Sequence, residues 1–220
     1  MRAVPGAFHV PLRMRRARTA AHAFGTLTLC FVAESVGCPI GPIRNARIRL
    51  SLSASVVDLF GKRFRPACTI AEWPSCQMTV PGDRGVYAIR WPEGRPPIFL
   101  AKNPGGWLRG KGDPTMATAY LATKWTDDSC VLYLGMAKSL RDRIDLLVLF
   151  GAGHPVRHWA GRALWQLDGI ADARIYWLAT PSDCELCIEH ELLTAFRSAY
   201  GKLPYANTVK PRKHRRCRRT

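Results

Sequence analysis

Apolar residues recur with two different spacings along this chain, and the changes of spacing mark its elements. From Gly85 to Trp91 the string GVYAIRW alternates Val86 and Ala88 with Tyr87 and Ile89, as a half-buried strand does. A second apolar run, Cys130 to Gly135, predicts a second strand, and Arg174 to Ala179 a third. Elsewhere the spacing lengthens to three and four. Leu140, Ile144, Leu147 and Val148 form one stripe, which predicts a helix from Ser139 to Phe150 ended by Gly151. Ile188, Leu192, Ala195, Phe196 and Ala199 form another. Before this last helix, Ser182 with Glu185 three residues on reads as a capping box, and Gly201 and Pro204 close the run. A short helix is expected over Ser55–Phe60, closed by Gly61, and Cys68–Val80 is rich in turn residues.

Between the first two strands lies a connection of Gly- and Pro-rich strings, residues 92–129, with one helical stretch at Thr115–Lys124. A connection this long is a lid, a substrate contact or a spacer. Residues 1–50 show no sustained period and are expected to be a disordered extension. The domain is therefore placed at 51–209, with its motif core at 80–209 and a tail at 210–220.

Charge sharpens this division. The chain of 220 residues carries a net charge of +17, and fourteen of those charges lie in its two ends. Residues 1–50 hold eight arginines and one acid, Glu34. The tail KPRKHRRCRRT holds Lys210, Arg212, Lys213, Arg215, Arg216, Arg218 and Arg219 and no acid. Such a tail has no apolar face to pack. It suits a polyanion, whose counterions it would release; the plain alternative is a solvated, solubilising tail. The only C-x-x-C is Cys184-Glu-Leu-Cys187, with no second pair or histidines at zinc spacing, so the cysteines are expected to be free thiols in a reducing cytoplasm. The most apolar stretch, Ala20–Ala33, is too short to span a membrane, although its place after an Arg-rich start gives it a weak likeness to a targeting segment.

Candidate chemistry enters through Gly85-Val86-Tyr87 on the first strand and Tyr133-Leu134-Gly135 on the second, the latter inside VLYLGMAKSLRDRI with Arg141 and Arg143. IEHELLTAF then places Glu189 on the last helix, and Asn207 follows. This ordered set resembles the GIY-YIG endonuclease family, and within it the N-terminal nuclease domain of the incision subunit of bacterial nucleotide-excision repair. The resemblance implies an α/β fold with a small central antiparallel three-stranded sheet flanked by helices. It also implies a DNA endonuclease that uses Mg²⁺ or Mn²⁺ and acts in repair, recombination or defence; no obligatory protein partner is inferred. RNA stays open as a substrate.

The resemblance makes Tyr87, Tyr133, Arg143 and Glu189 catalytic, with Glu189 as the metal ligand. Gly85, Gly135, Lys138, His158 and Asn207 are supporting, and Arg141 joins the tail in binding nucleic acid. The residue types suit the reaction. Magnesium accepts one or two carboxylates and keeps its waters. Arginine grips a phosphate with a planar fork that lysine lacks. A phenol, with a pKa of about 10, acts as a base only beside a cation or metal. Taken singly each residue is ordinary: a strand tyrosine packs, a helix glutamate is solvated. Two positions depart from the family pattern. Met136 stands where a lysine is common, and Leu147 where the repair subunit carries a tyrosine; Lys138 and His158 are the candidates to compensate. Two other readings are a non-catalytic nucleic-acid-binding protein that keeps the fold, and a two-metal nuclease using Asp168, Asp172 and Asp183.

Overall fold

The computed structural model describes residues 57–107, 110 and 112–208. The extension at 1–50, the targeting-like stretch and the basic tail at 210–220 lie outside the described residues.

Strand β3 (Gly85–Arg90) is buried along its whole length. Its alternation therefore sorts side chains between two cores, not between core and water. Val86 and Ala88 join one apolar cluster, Tyr87 and Ile89 the other. A strand apolar on both faces needs covering on both. β3 pairs antiparallel with β4 (Val131–Ala137) on one side and β5 (Arg174–Ala179) on the other. β5 pairs in turn with β2 (Lys62–Thr69), which gives four antiparallel strands in the order β2-β5-β3-β4. A short β1 (Val57–Leu59) pairs with the start of β2 and extends the edge.

The expected three-stranded sheet is thus corrected to an α/β fold with a four-stranded antiparallel sheet flanked by helices. The missed strand has a local cause. Phe60 and Gly61 both have positive φ, 53° and 77°, the backbone of a two-residue hairpin turn. Gly61 therefore turns a hairpin, and the helix expected over Ser55–Phe60 is replaced by β1 where the structure describes it. β2 buries only Phe64 and Cys68, with Arg63 and Arg65 exposed around Phe64. Its Pro66, which argues against a strand, sits where the β2–β5 register shifts, and a bulge tolerates a missing N–H.

Cys68 and Cys76 correct a second expectation. α1 (Trp73–Cys76) folds back on the end of β2 and brings their Cα atoms to 6.6 Å, and a disulfide joins them. Cys130 and Cys184 are free.

Each face of the sheet receives one long helix. α3 (Leu140–Gly151) buries Leu140, Ile144, Leu147 and Phe150 on the Tyr87 face, and Ser139 caps it by accepting from the Asp142 N–H. α4 (Glu185–Tyr200) buries Ile188, Leu192, Leu193 and Phe196 on the Val86 face and ends at Gly201, φ 75°. Its capping box does not form. Cys184 is the N-cap without a side-chain bond, and Glu185 pairs with Arg84 at 3.8 Å.

The insertion, with its helix α2 (Thr118–Lys124), is fastened to the α3 side. The Leu100 N–H donates to the Gln166 carbonyl, and the Asp168 N–H to that of Ile98. Fully buried Gln166 accepts from the Met116 N–H and donates to the Leu100 and Met116 carbonyls. A buried amide with its bonds satisfied fixes both ends of the loop between Leu100 and Met116. No helix among the described residues is long and apolar enough to cross a membrane.

Candidate active site

Register decides what meets on the α3 face. Tyr87 lies opposite Gly135, and Tyr133 opposite Ile89. The period of two puts all four on one face. The tyrosine rings stand 5.7 Å apart, tilted by 49°. Gly135 makes this approach feasible. A Cβ there would lie 2.7 Å from Tyr133 Cε1 and 2.9 Å from the Tyr87 ring. Gly85 serves packing in the same way, because a Cβ would strike the Leu178 carbonyl and come within 2.9 Å of Leu140 Cδ1.

Tyr87 has no exposed surface, and its hydroxyl meets His158 Nε2 at 2.9 Å. His158 is also fully buried, and its Nδ1 has no partner among the described residues. Burial, reinforced by the Arg143 charge, pushes this imidazole down to a pKa of about 3, so it is neutral. Tyr133 retains 5% exposure. Burial raises both phenols, Tyr87 most; the Arg143 charge pulls each back only in part. Both are therefore neutral O–H groups at ordinary pH, suited to donating a hydrogen bond and unsuited to acting as a base unaided.

Arg143 is half-buried and donates through Nη1 to the Arg157 carbonyl at 2.9 Å. Among the described residues no carboxylate pairs with it. It is the shared cation of the site, acting on Tyr87, Tyr133, His158 and Glu189. Arg141 is placed differently. Its Nε donates to the Val80 carbonyl at 3.0 Å and so ties α3 to the segment before β3. Lys138 is exposed in the turn between β4 and α3.

Glu189 comes from α4, on the opposite face, yet reaches the site around β4. β4 is the edge strand, and its outward-facing backbone groups need partners. Ala206 donates to the Leu132 carbonyl. The Asn207 side chain accepts from the Leu134 N–H at 3.0 Å and donates to the Leu134 carbonyl at 2.8 Å, like one residue of a further strand. Glu189 Oε1 accepts from the Met136 N–H at 3.1 Å. Burial raises the Glu189 carboxyl; the Met136 N–H and Arg143 oppose that rise. Its other oxygen has no protein partner among the described residues. Glu191, two residues on, is exposed and pairs with Lys62 at 3.7 Å.

Tyr87, Tyr133, His158, Arg143 and Glu189 are thus gathered around Gly135, with Asn207 on the same strand edge. Arg141 is committed to a structural bond, and the tail residues lie outside the described part. A half-buried carboxylate with one free oxygen beside a cation fits a hard metal ion that keeps its waters. The alternative trio of aspartates is not supported. Asp172 is paired with Arg95 at 2.7 Å, and no group of three or more His, Cys, Asp or Glu among the described residues could hold a metal. Sequence reasoning missed the Arg157 carbonyl and the Met136 N–H, which are main-chain groups without a residue signature. In comparisons with known proteins, no family model, curated protein or solved structure matches the chain.

The buried histidine makes stability pH-dependent. The unfolded imidazole titrates near 6.5, whereas the folded one stays neutral to about 3. Its depressed pKa means stability is full above that upper value and is lost as pH falls through the window, by up to about 1.4 kcal/mol per unit. The raised Glu189 acts in the opposite sense in acid. Denaturant unfolding between pH 7.5 and 4.5 should therefore show a steeper fall for the wild type than for His158→Gln, which cannot titrate. Equal slopes would contradict a neutral, buried His158.

Proposed function

We propose that this chain is a metal-dependent endonuclease of the GIY-YIG type, hydrolysing phosphodiester bonds in DNA. The observation that carries this reading is convergence. Two strands and both long helices each deliver one residue of the motif set, Tyr87, Tyr133, Arg143 and Glu189, to one place around Gly135. A chance likeness of short strings gives no reason for such a meeting.

In this mechanism Glu189 would hold Mg²⁺ or Mn²⁺, which when bound would supply charge neutralisation and a water acidic enough to lose its proton. Arg143 already has one arm fixed on the Arg157 carbonyl. Its remaining N–H groups bind the phosphate oxygens and stabilise the charge that grows on them. Tyr133, the less buried phenol, donates its O–H to the attacking water or a phosphate oxygen and orients it. Tyr87 stays behind it and, tied to His158, fixes the Tyr133 ring. The basic ends supply affinity for the polyanion and no chemistry.

A non-catalytic nucleic-acid-binding protein is the second reading, and one observation favours it: Glu189 already has a structural task at the β4 edge. Titration with Mn²⁺ separates the two. The nuclease reading expects one site per chain that Glu189→Gln removes. A chain that takes up no Mn²⁺ at Glu189 is a binder only.

A further inference from the structure

The register of the sheet carries the active-site row outward across two more strands. Tyr87 on β3 pairs with Trp177 on β5, and Trp177 pairs with Arg65 on β2. Directly paired residues share a face, so Gly135, Tyr87, Trp177 and Arg65 form one row on the α3 face. Neighbouring cores agree with this assignment: Ala67 and Trp177 pack against the Tyr87 cluster, whereas Phe64 and Leu178 belong to the other. Strands lie about 4.8 Å apart, which puts Arg65 about 10 Å from Tyr87.

Arg65 is exposed, Trp177 is half-buried, and the Arg65 guanidinium carbon lies 5.4 Å from the centre of the Trp177 ring. An indole face holds a guanidinium without neutralising it. Several other arginines of the domain are spoken for: Arg84, Arg90 and Arg95 pair with Glu185, Glu93 and Asp172. Arg65 has no ion pair among the described residues. Among the described residues it is a held cation with no carboxylate partner, at the end of the row that starts at the candidate active site.

Resting on the nuclease reading for the meaning of that site, we propose that Arg65 and Trp177 form a second nucleic-acid contact, in which Arg65 binds a backbone phosphate away from the scissile one. Successive phosphates of a strand advance by about 3.4 Å along the helix axis. Arg65 lies three strand spacings, about 14 Å, from Gly135, around which the site gathers, so the phosphate it binds is several nucleotides from the scissile one. Arginine is the fitting residue, because its fork binds phosphate oxygens while its plane rests on the ring. Neither residue belongs to the motif set.

The test measures binding of a short DNA duplex by fluorescence anisotropy across a range of KCl concentrations, in a Glu189→Gln background so that no cleavage intervenes. Arg65→Ala is expected to weaken binding about five- to tenfold at low salt and to reduce the slope of log K against log salt by about 0.9, the value of one lost phosphate contact. Arg95→Ala, whose cation is already paired, is the control and leaves the slope unchanged. Trp177→Phe keeps a ring and is expected to retain the slope, whereas Arg65→Glu should cost more than Arg65→Ala. Since Arg65 is exposed, thermal unfolding of Arg65→Ala should match the parent. A slope for Arg65→Ala equal to that for Arg95→Ala would overturn the proposal. The outcome is separable from the nuclease reading. If the wild type cleaves DNA and the slope is unmoved, this contact is wrong and the active site stands. If the slope falls but nothing is cleaved, the contact stands on a binding protein.

Discussion

Glu189→Gln is expected to lower metal-dependent DNA cleavage by about a thousandfold while leaving the fold intact. Gln can still accept the Met136 N–H at the β4 edge, a bond that Glu189 now makes at 3.1 Å. It loses the negative charge that a hard cation requires. Metal-assisted charge stabilisation is worth several kcal/mol, and each 1.36 kcal/mol is about tenfold in rate, which sets the magnitude. Glu189→Ala should show the same loss of cleavage together with a loss of stability of about 1–3 kcal/mol, because an edge N–H loses its partner in a half-buried setting. Glu191→Ala, at an exposed position, should cleave like the wild type. Single-turnover cleavage and denaturant unfolding of the three variants separate catalytic from structural effects. Normal cleavage by Glu189→Gln would show that the carboxylate serves only the strand edge.

Arg143→Lys is expected to lower turnover by about a hundredfold, with DNA binding reduced far less. Lysine preserves the charge and loses the fork, so one end can no longer hold the Arg157 carbonyl while the other meets phosphate. Removing one donor aimed at developing charge costs about 2.7–4 kcal/mol in well-studied acyl-transfer sites, which supports this size of effect. Arg141→Lys makes the contrast, since it gives up the Nε bond to Val80 and no part of the site. It should lose some stability and keep its turnover. Equal kinetic loss in the two variants would mean that the phosphate clamp has been given to the wrong arginine.

What was legible in the sequence follows from burial. β3, β4, β5, α3 and α4 bury enough side chains to impose a clear period on the chain, and Gly201 closes α4, whereas α3 runs on through Gly151 to a cap at Ala152. The β1–β2 hairpin does not. It lies at the sheet edge, where Phe64 is flanked by two exposed arginines and Pro66 occupies a register shift. Gly61, consistent with either a helix end or a hairpin turn, resolves only through the positive φ at Phe60 as well. The cost of that ambiguity was functional, because Arg65 gains its place beside Trp177 only once β2 exists.

The site divides in the same way. Residue identities were legible, and their environments were not. The string VLYLGMAKSLRDRI distinguishes Arg143 from Arg141 only by their flanks of a helix; the structure separates them by what each guanidinium bonds. Nothing in the local sequence says that Tyr87 is completely buried, or that His158, 71 residues away, is its hydrogen-bond partner. That burial disfavours the phenolate form of both tyrosines, so a base role would need the charge of Arg143 or a metal ion to offset it. Asn207 and Glu189 likewise share a task that depends on β4 being the outer strand.

A time course on supercoiled plasmid decides whether the proposed site cleaves phosphodiester bonds with a metal ion. Purified wild-type protein is incubated with Mg²⁺, with Mn²⁺, or with excess chelator, and the products are resolved as supercoiled, nicked and linear forms. Nicked or linear DNA is expected with either metal, none with chelator, and none above background with Glu189→Gln. Plasmid that stays supercoiled under every condition while binding the protein would contradict the nuclease reading.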